Sequence, residues 1–296
     1  MTEESLLYDL IDMEDPLSVL EEVKSILFLV FPQFDFDPLK FVFEDVVRLF
    51  MGQYPGYQEC TTDYHDLEHT TDTFLAMARL VHGATVAEQR FSPRGVTLGL
   101  VTALLHDTGY IQTLDNGAGT GGKYTTVHID RSIEFLEKYL KGQASPQEIE
   151  YCNAILKCSG LEVDFDGIYF VSREHKTLGK MLGTADLMGQ MANRAYLEKL
   201  LFLYHEFNEA GIPGLESELA LLKNTPGFFE ATMARIRHEF GNVHNYMLPH
   251  FETRWHIKKD LYQLAATNNI RYLEIILKDH QKNYRDQLRR RILPLK

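Results

Sequence analysis

The sequence predicts an all-α protein, and three observations indicate this class. Apolar residues recur at the 3.6-residue spacing of helices along most of the 296-residue chain. No stretch alternates apolar and polar residues in the way that half-buried strands do. Clusters of glycine, proline and polar residues separate the periodic segments, and no internal repeat or low-complexity tract interrupts them. We therefore expect a multi-helix bundle.

These breaks divide the chain into three predicted parts. Residues 1–50 predict two helices, separated at Phe31-Pro32-Gln33, that form an N-terminal appendage packed on the core. Residues 51–200 carry the polar motifs described below and form the core of the predicted domain. Residues 201–296 predict further helices that complete the same domain.

Within the core, four helices follow from periodicity and capping residues. The first is predicted from Tyr64 to about His82, and the second over residues 95–107. The third begins at His128 and restarts at Ser145-Pro146, which suit the N-cap and first helical position. A long helix is predicted from about Arg173, with an apolar stripe at helical spacing.

The C-terminal part contains helix breakers of its own. We expect breaks at Gly211-Ile212-Pro213-Gly214, Thr225-Pro226-Gly227, Leu248-Pro249 and Asn268-Asn269. The chain ends in Arg289-Arg290-Arg291, which we interpret as a solvated helix terminus.

Composition limits the classes of partner. The formal net charge of −12 argues against a nucleic-acid polymer, because phosphate backbones require a basic protein face. The longest apolar run of the N-terminal region, Ile26 to Phe31, is too short to span a bilayer. The three cysteines, Cys60, Cys152 and Cys158, have no paired spacing, which is typical of free thiols in a reducing compartment. We expect a cytoplasmic protein without a membrane partner.

An apolar run that ends in two polar residues is the strongest local signal. The segment from Leu98 to Leu105 is apolar on nearly all sides, which predicts a buried helix, and His106-Asp107 follow it directly. Burying an ionised carboxylate without a partner costs several kcal/mol or more. Asp107 should therefore be protonated, paired with a cation or bound to a metal, and the adjacent imidazole favours a metal.

Two further segments supply groups of the same kind. In Tyr64-His65-Asp66-Leu67-Glu68-His69, the histidines His65 and His69 have the i, i+4 spacing that places both on one helix face. Asp186 lies beside the apolar stripe of the helix predicted from Arg173. Each of these groups would be costly to bury alone, and one bound cation explains them together.

The order His69, His106-Asp107, Asp186 resembles the His, His-Asp, Asp signature of HD-domain metal-dependent phosphohydrolases. The run from Tyr64 to His69 is similar to the Tyr-His-Asn-x-x-His element of the cyclic nucleotide phosphodiesterases in that superfamily. The resemblance covers roughly residues 60 to 195. It implies an HD-domain bundle like that of the phosphodiesterase catalytic domain, with helical additions at both ends.

The resemblance also implies roles for these residues. His69, His106, Asp107 and Asp186 would bind a first divalent ion (Mg, Mn, Zn or Fe), and Asp107 would bridge to a second. His128 would bind that second ion. A later histidine of the family is missing, and that stretch holds Cys152 and Cys158 instead. Water or a thiolate would complete this site, or the site would be weak. His65 would be the general acid when a metal-bridging hydroxide attacks a small, nucleotide-like phosphodiester.

Departures from the family pattern leave the substrate and the class of protein open. Asp66 replaces the asparagine of the motif, and Gly189 stands where the cyclic nucleotide enzymes have asparagine. The glutamine that holds the purine in those enzymes has no clear counterpart, so the resemblance does not imply cyclic nucleotide specificity. A di-iron HD-type oxygenase and a catalytically silent metal-binding sensor or scaffold are the alternatives. The sequence does not indicate an oligomeric state.

Overall fold

Helices form the framework of residues 6–288, which are the residues that the computed structural model describes. This part of the chain contains thirteen α-helices and no β-strand, so the all-α prediction is confirmed. The outer ends of the predicted segments 1–50 and 201–296, including Arg289-Arg290-Arg291, lie outside the described residues. The helices are α1 (Leu6–Asp9), α2 (Pro16–Val30), α3 (Asp37–Phe50), α4 (Leu67–Val86), α5 (Pro93–Leu105), α6 (His128–Leu140), α7 (Pro146–Leu156), α8 (Arg173–Ala192), α9 (Tyr196–Glu209), α10 (Glu218–His238), α11 (Met247–Trp255), α12 (Leu261–Asp279) and α13 (Tyr284–Leu288).

Helices α4, α5 and α8 form the centre of the bundle. Every residue of α4 from His69 to Ala84 is buried, as is every residue of α5 from Gly95 onward. Helix α4 packs along α8, and α5 contacts both. Because these helices are covered on nearly all sides, the polar groups that they carry near their ends are held inside the protein.

The remaining helices surround this centre. Helices α2 and α11 pack against α4, whereas α7 and α12 pack against α8. The apolar residues of these helices join those of the centre in a single hydrophobic core. Among the described residues, no helix has both the length and the apolar character that crossing a membrane requires.

Local capping explains where several predicted helices begin. Ser145 accepts a hydrogen bond from the backbone of Glu148, whose carboxylate accepts one from the backbone of Ser145, so both halves of a capping box are present. Ser92 caps α5 in front of Pro93. Such capping contacts join residues at most three positions apart, so the sequence alone can predict them.

Three predicted helix breaks are wrong. Leu248-Pro249 lies in the first turn of α11, where a proline is tolerated. Helix α10 continues through Pro226, and buried side chains on both sides of the proline, including Leu222 and Phe229, keep the helix packed. Helix α12 continues through Asn268-Asn269. The side-chain amide of Asn269 donates to the carbonyl oxygens of Met191 and Asn193, at 2.9 and 3.0 Å. This side chain therefore satisfies backbone carbonyl groups at the end of α8, and α12 does not end at the asparagine.

Candidate metal centre

The N-terminus of α4 positions His69 and corrects the predicted helix start. The helix begins at Leu67, because the side chain of Asp66 is the N-cap and accepts a hydrogen bond from the backbone N–H of His69 at 2.8 Å. His65 therefore lies in the turn before the helix and does not share a helix face with His69. The two rings still meet edge to face, with centroids 5.8 Å apart.

The end of α5 delivers the histidine and aspartate pair. His106 and Asp107 follow the last helical residue, and a short 3₁₀ turn from Thr108 to Tyr110 comes next. His106 Nδ1 lies 2.8 Å from the carbonyl oxygen of Ala103. Because a carbonyl can only accept, Nδ1 carries the proton of this hydrogen bond, and Nε2 is the nitrogen that faces the centre.

Four side chains from three distant segments meet at this point. His69 Nε2 lies 3.1 Å from Asp107 Oδ2 and 3.2 Å from Asp186 Oδ1. His106 Nε2 lies 3.3 Å and 3.8 Å from the same two oxygens, and 3.3 Å from His69 Nε2. All four side chains are buried. The structure therefore brings together His69, His106, Asp107 and Asp186.

The arrangement fits a divalent cation in both distance and chemistry. With metal–ligand bonds of about 2.0 to 2.2 Å, adjacent ligand atoms stand roughly 3 to 3.6 Å apart. His69, His106 and Asp107 form a buried group of potential metal ligands, and Asp186 contacts both of its imidazoles. Asp107 Oδ2 is buried and accepts no hydrogen bond of good geometry from any residue between 6 and 288. Imidazole nitrogens with carboxylate oxygens suit Zn²⁺, Fe²⁺ and Mn²⁺.

The histidines and carboxylates of this group shift one another's pKa values. Burial alone would lower the pKa of His69, but the carboxylates of Asp107 and Asp186 raise it to about 10. Burial likewise opposes protonation of His106, yet Asp107 raises the pKa of this imidazole above its usual value. Burial would raise the pKa of Asp107, and the two histidines hold it well below its usual range. Metal binding must therefore displace protons.

A second polar pair adjoins the four side chains. His65 Nδ1 lies 2.6 Å from Glu206 Oε2, and both side chains are buried. Glu206 also accepts a hydrogen bond from the backbone N–H of Tyr64, at 2.8 Å. The ring of His65 stacks on Tyr110 at 4.2 Å between centroids, with an interplanar angle of 10°. These contacts fix the plane and the rotation of the His65 imidazole.

His128 lies near this pair but outside the group of four. Its ring stacks on Tyr110, the same ring that stacks on His65, with 4.7 Å between the ring centroids. Its Nδ1 lies 2.6 Å from the carbonyl oxygen of Thr125 and so donates to it. Burial lowers the pKa of His128, which leaves the Nε2 lone pair unprotonated. His128 can therefore accept a cation, although the structure does not place it within the ligand group.

The cysteines lie outside the group of potential metal ligands formed by His69, His106 and Asp107. Burial raises the pKa of Cys152 to about 11 and that of Cys158 to about 12, so neither thiol ionises readily near neutral pH without a bound cation. The sulfur of Cys158 contacts Gly179, almost two helical turns before Asp186 on α8.

The sequence analysis did not identify three residues that support the centre. Glu206 pairs with His65, Gln190 donates to Asp186, and Lys199 binds Asp66. Gln190 follows Asp186 by four residues on α8, so helical spacing alone could have indicated it. Glu206 and Lys199 lie on α9, and no spacing rule connects them with α4.

Comparison with known proteins adds one match. A family model described as Npun_R2479-like matches residues 113–242. This region includes His128, Asp186 and Glu206, whereas His65, His69, His106 and Asp107 precede it. No curated protein matches the chain.

Proposed function

We propose that this protein is a metal-dependent phosphohydrolase of the HD-domain type, acting on a small phosphodiester. The observation that supports it most is the meeting of His69, His106, Asp107 and Asp186, which are widely separated in sequence, beside a buried His65–Glu206 pair. A buried group of this kind would be costly without a cation. The pair adds a proton donor that a purely structural metal site would not need.

Each side chain has a defined task in this proposal. His69, His106, Asp107 and Asp186 would hold one divalent cation, and Asp107 with His128 would hold a second. Such cations, when bound, polarise phosphoryl oxygens and lower the pKa of a water molecule.

His65 is the proton donor to the leaving oxygen. Because Glu206 occupies its Nδ1, the other ring nitrogen, Nε2, exchanges the proton with the substrate. Tyr110 Oη lies 3.5 Å from that nitrogen. Glu206 acts as the orienting group, which is the role that a carboxylate has toward a catalytic histidine in many hydrolases.

A cleft beside the His65–Glu206 pair offers space for the leaving group. It lies between α9 and the glycine-rich loop after Asn116. The lining residues are Thr61, Asp63, Thr120, Phe202, His205, Glu206 and Glu209. A substrate whose phosphate reaches the four metal-site residues would extend its leaving group across His65 toward this cleft.

Separate variants distinguish the two roles. We expect His65→Ala to keep its bound metal and lose turnover, and Asp107→Ala to lose both. The exposed His280 provides a matched control, His280→Ala, which should retain both. Metal content of the purified variants by mass spectrometry decides between these outcomes. Equal loss of metal from His65→Ala and Asp107→Ala would contradict the assigned roles.

A hydrolysis screen tests the reaction itself. Cyclic nucleotides, cyclic dinucleotides, nucleotides and aryl phosphodiesters should be assayed with Mn²⁺, Mg²⁺ and Zn²⁺. Turnover that requires His65 would support the proposal. Bound metal without turnover of any substrate would favour a sensor or scaffold, and iron-dependent oxygen uptake would favour a di-iron oxygenase.

A further inference from the structure

We propose that Gln190 is a positioning residue of the metal centre and that Tyr64 fixes the orientation of its amide. This inference rests on the proposed function, because it requires a cation at the four side chains. It assigns a role to two residues outside the four side chains that would hold the cation.

Helical geometry places the amide of Gln190 beside the centre. Gln190 lies one turn after Asp186 on α8, so the two side chains share a face. Its Nε2 donates to Asp186 Oδ1 at 2.9 Å and lies 3.3 Å from His69 Nε2. The same oxygen of Asp186 is the one that contacts His69. Gln190 therefore holds the carboxylate oxygen that faces the imidazoles.

Tyr64 holds the end of the amide that faces away from Asp186. Its hydroxyl lies 2.9 Å from Gln190 Oε1 and donates to it. A carboxylate can only accept hydrogen bonds, and the amide oxygen is already occupied by the phenol. In the observed orientation both hydrogen bonds form, whereas a flipped amide would place its oxygen against the Asp186 carboxylate and lose that hydrogen bond.

Tyr64 also links the two parts of the site. Its backbone N–H donates to Glu206, whereas its hydroxyl serves the metal-binding side through Gln190. Its side chain is 5 % exposed, so the phenol has little freedom to leave this position. One buried residue thus fixes both the partner of His65 and the partner of Asp186.

The amide suits this position because it is a neutral donor. Asp107 and Asp186 already supply two negative charges toward the cation, and an amide stabilises one carboxylate without adding charge. Without the amide, the Asp186 carboxylate would lose the hydrogen bond that holds its oxygen toward the histidines.

Metal affinity measures this role without any activity assay. Mn²⁺ binding should be titrated against a competing chelator for the wild type, Gln190→Met, Tyr64→Phe and a control, Thr184→Val. Thr184 lies on the same helix and is buried, and its hydroxyl has no hydrogen-bond partner among the described residues, so Thr184→Val keeps the volume and removes no such bond. We expect Gln190→Met to bind about 10- to 100-fold more weakly, as is typical when a residue that orients a metal ligand is lost. Tyr64→Phe should show a smaller loss, and Thr184→Val none.

The outcomes separate this inference from the proposed function. If the wild type binds no divalent cation, the proposed function fails. If the wild type binds Mn²⁺ and both Gln190→Met and Tyr64→Phe bind it as tightly, only the role of Gln190 is overturned. Thermal unfolding in chelator establishes that each variant is folded. Should Gln190→Met not fold, Tyr64→Phe decides the question by the same measurement, and unchanged affinity would again overturn the inference.

Discussion

The buried ion pair between Asp66 and Lys199 should be energetically coupled, and removing its lysine should be strongly destabilising. Lys199 Nζ lies 3.0 Å and 2.8 Å from the two carboxylate oxygens of Asp66, and 3.5 Å from Glu68 Oε2. Burial alone would lower the pKa of Lys199, but these carboxylates raise it above its ordinary value, so the ammonium stays charged. Lys199→Met keeps most of the side-chain volume and removes this charge.

The magnitude follows from the burial of each partner. Breaking a buried pair costs about 3 to 5 kcal/mol, because one charge is left uncompensated. The Asp66 side chain is 28 % exposed, so water stabilises its charge in part. We therefore expect Lys199→Met to lower the free energy of unfolding by about 3 kcal/mol, at the lower end of that range. Asp66→Asn keeps an oxygen for the backbone N–H of His69 and leaves Lys199 beside Glu68, so it should cost about 1 to 2 kcal/mol. The double variant should cost about 1 to 2 kcal/mol less than the sum of the two single variants.

Urea unfolding at pH 7 with a metal chelator measures all three variants and the wild type. The chelator is required because metal binding to the folded state would add its own stabilisation. Additivity within about 0.5 kcal/mol would refute the coupling, since that is the behaviour of independent sites.

Three further expectations concern other parts of the protein. Burial, above all, lowers the pKa of His82 to about 4, so the unfolded state binds more protons between pH 6.5 and 4, and stability should decrease as the pH falls. The free energy of unfolding should drop by about 2 kcal/mol between pH 7 and pH 5 from this group, and His82→Gln should remove that share of the pH dependence in urea titrations. Gly83→Ala would place a Cβ 1.8 Å from the carbonyl oxygen of Tyr246, and it should cost about 3 kcal/mol in thermal unfolding; an unchanged melting temperature would contradict the close packing of α4 there. Glu206→Gln should lower turnover about 100-fold with unchanged metal content, because the charged partner of His65 is lost, and full activity would exclude an orienting role for Glu206.

The parts of the fold that sequence predicts are those set by short-range interactions. The helices α5, α7 and α8 begin close to the predicted positions, because Ser92, Ser145 and Ser172 cap them within three residues. The failed break at Asn268-Asn269 has a long-range cause. Asn269 continues its helix while its amide bonds the end of α8, and no local pattern contains that contact.

The candidate site divides in the same way. The convergence of His69, His106, Asp107 and Asp186 was predicted, because each lies at or beside a buried apolar helix and the cost of burial implies a shared partner. The groups that hold these side chains lie on other helices at large sequence separation, and Glu206 is the clearest case. Only the packing of α9 against the turn before α4 brings it to His65.

Lys199 also explains why an aspartate can stand at position 66, where the resembling enzymes have asparagine. Asp66 still accepts the hydrogen bond from the backbone of His69, as an asparagine oxygen can, so the start of α4 is unchanged. The additional negative charge would be costly in this environment, and Lys199 neutralises it at 2.8 Å. Aspartate at position 66 therefore keeps His69 in place, and Lys199 supplies the positive charge that balances the added carboxylate. If this compensation is correct, Asp66→Asn should leave Mn²⁺ affinity unchanged, whereas Lys199→Met should reduce it by disturbing the helix start.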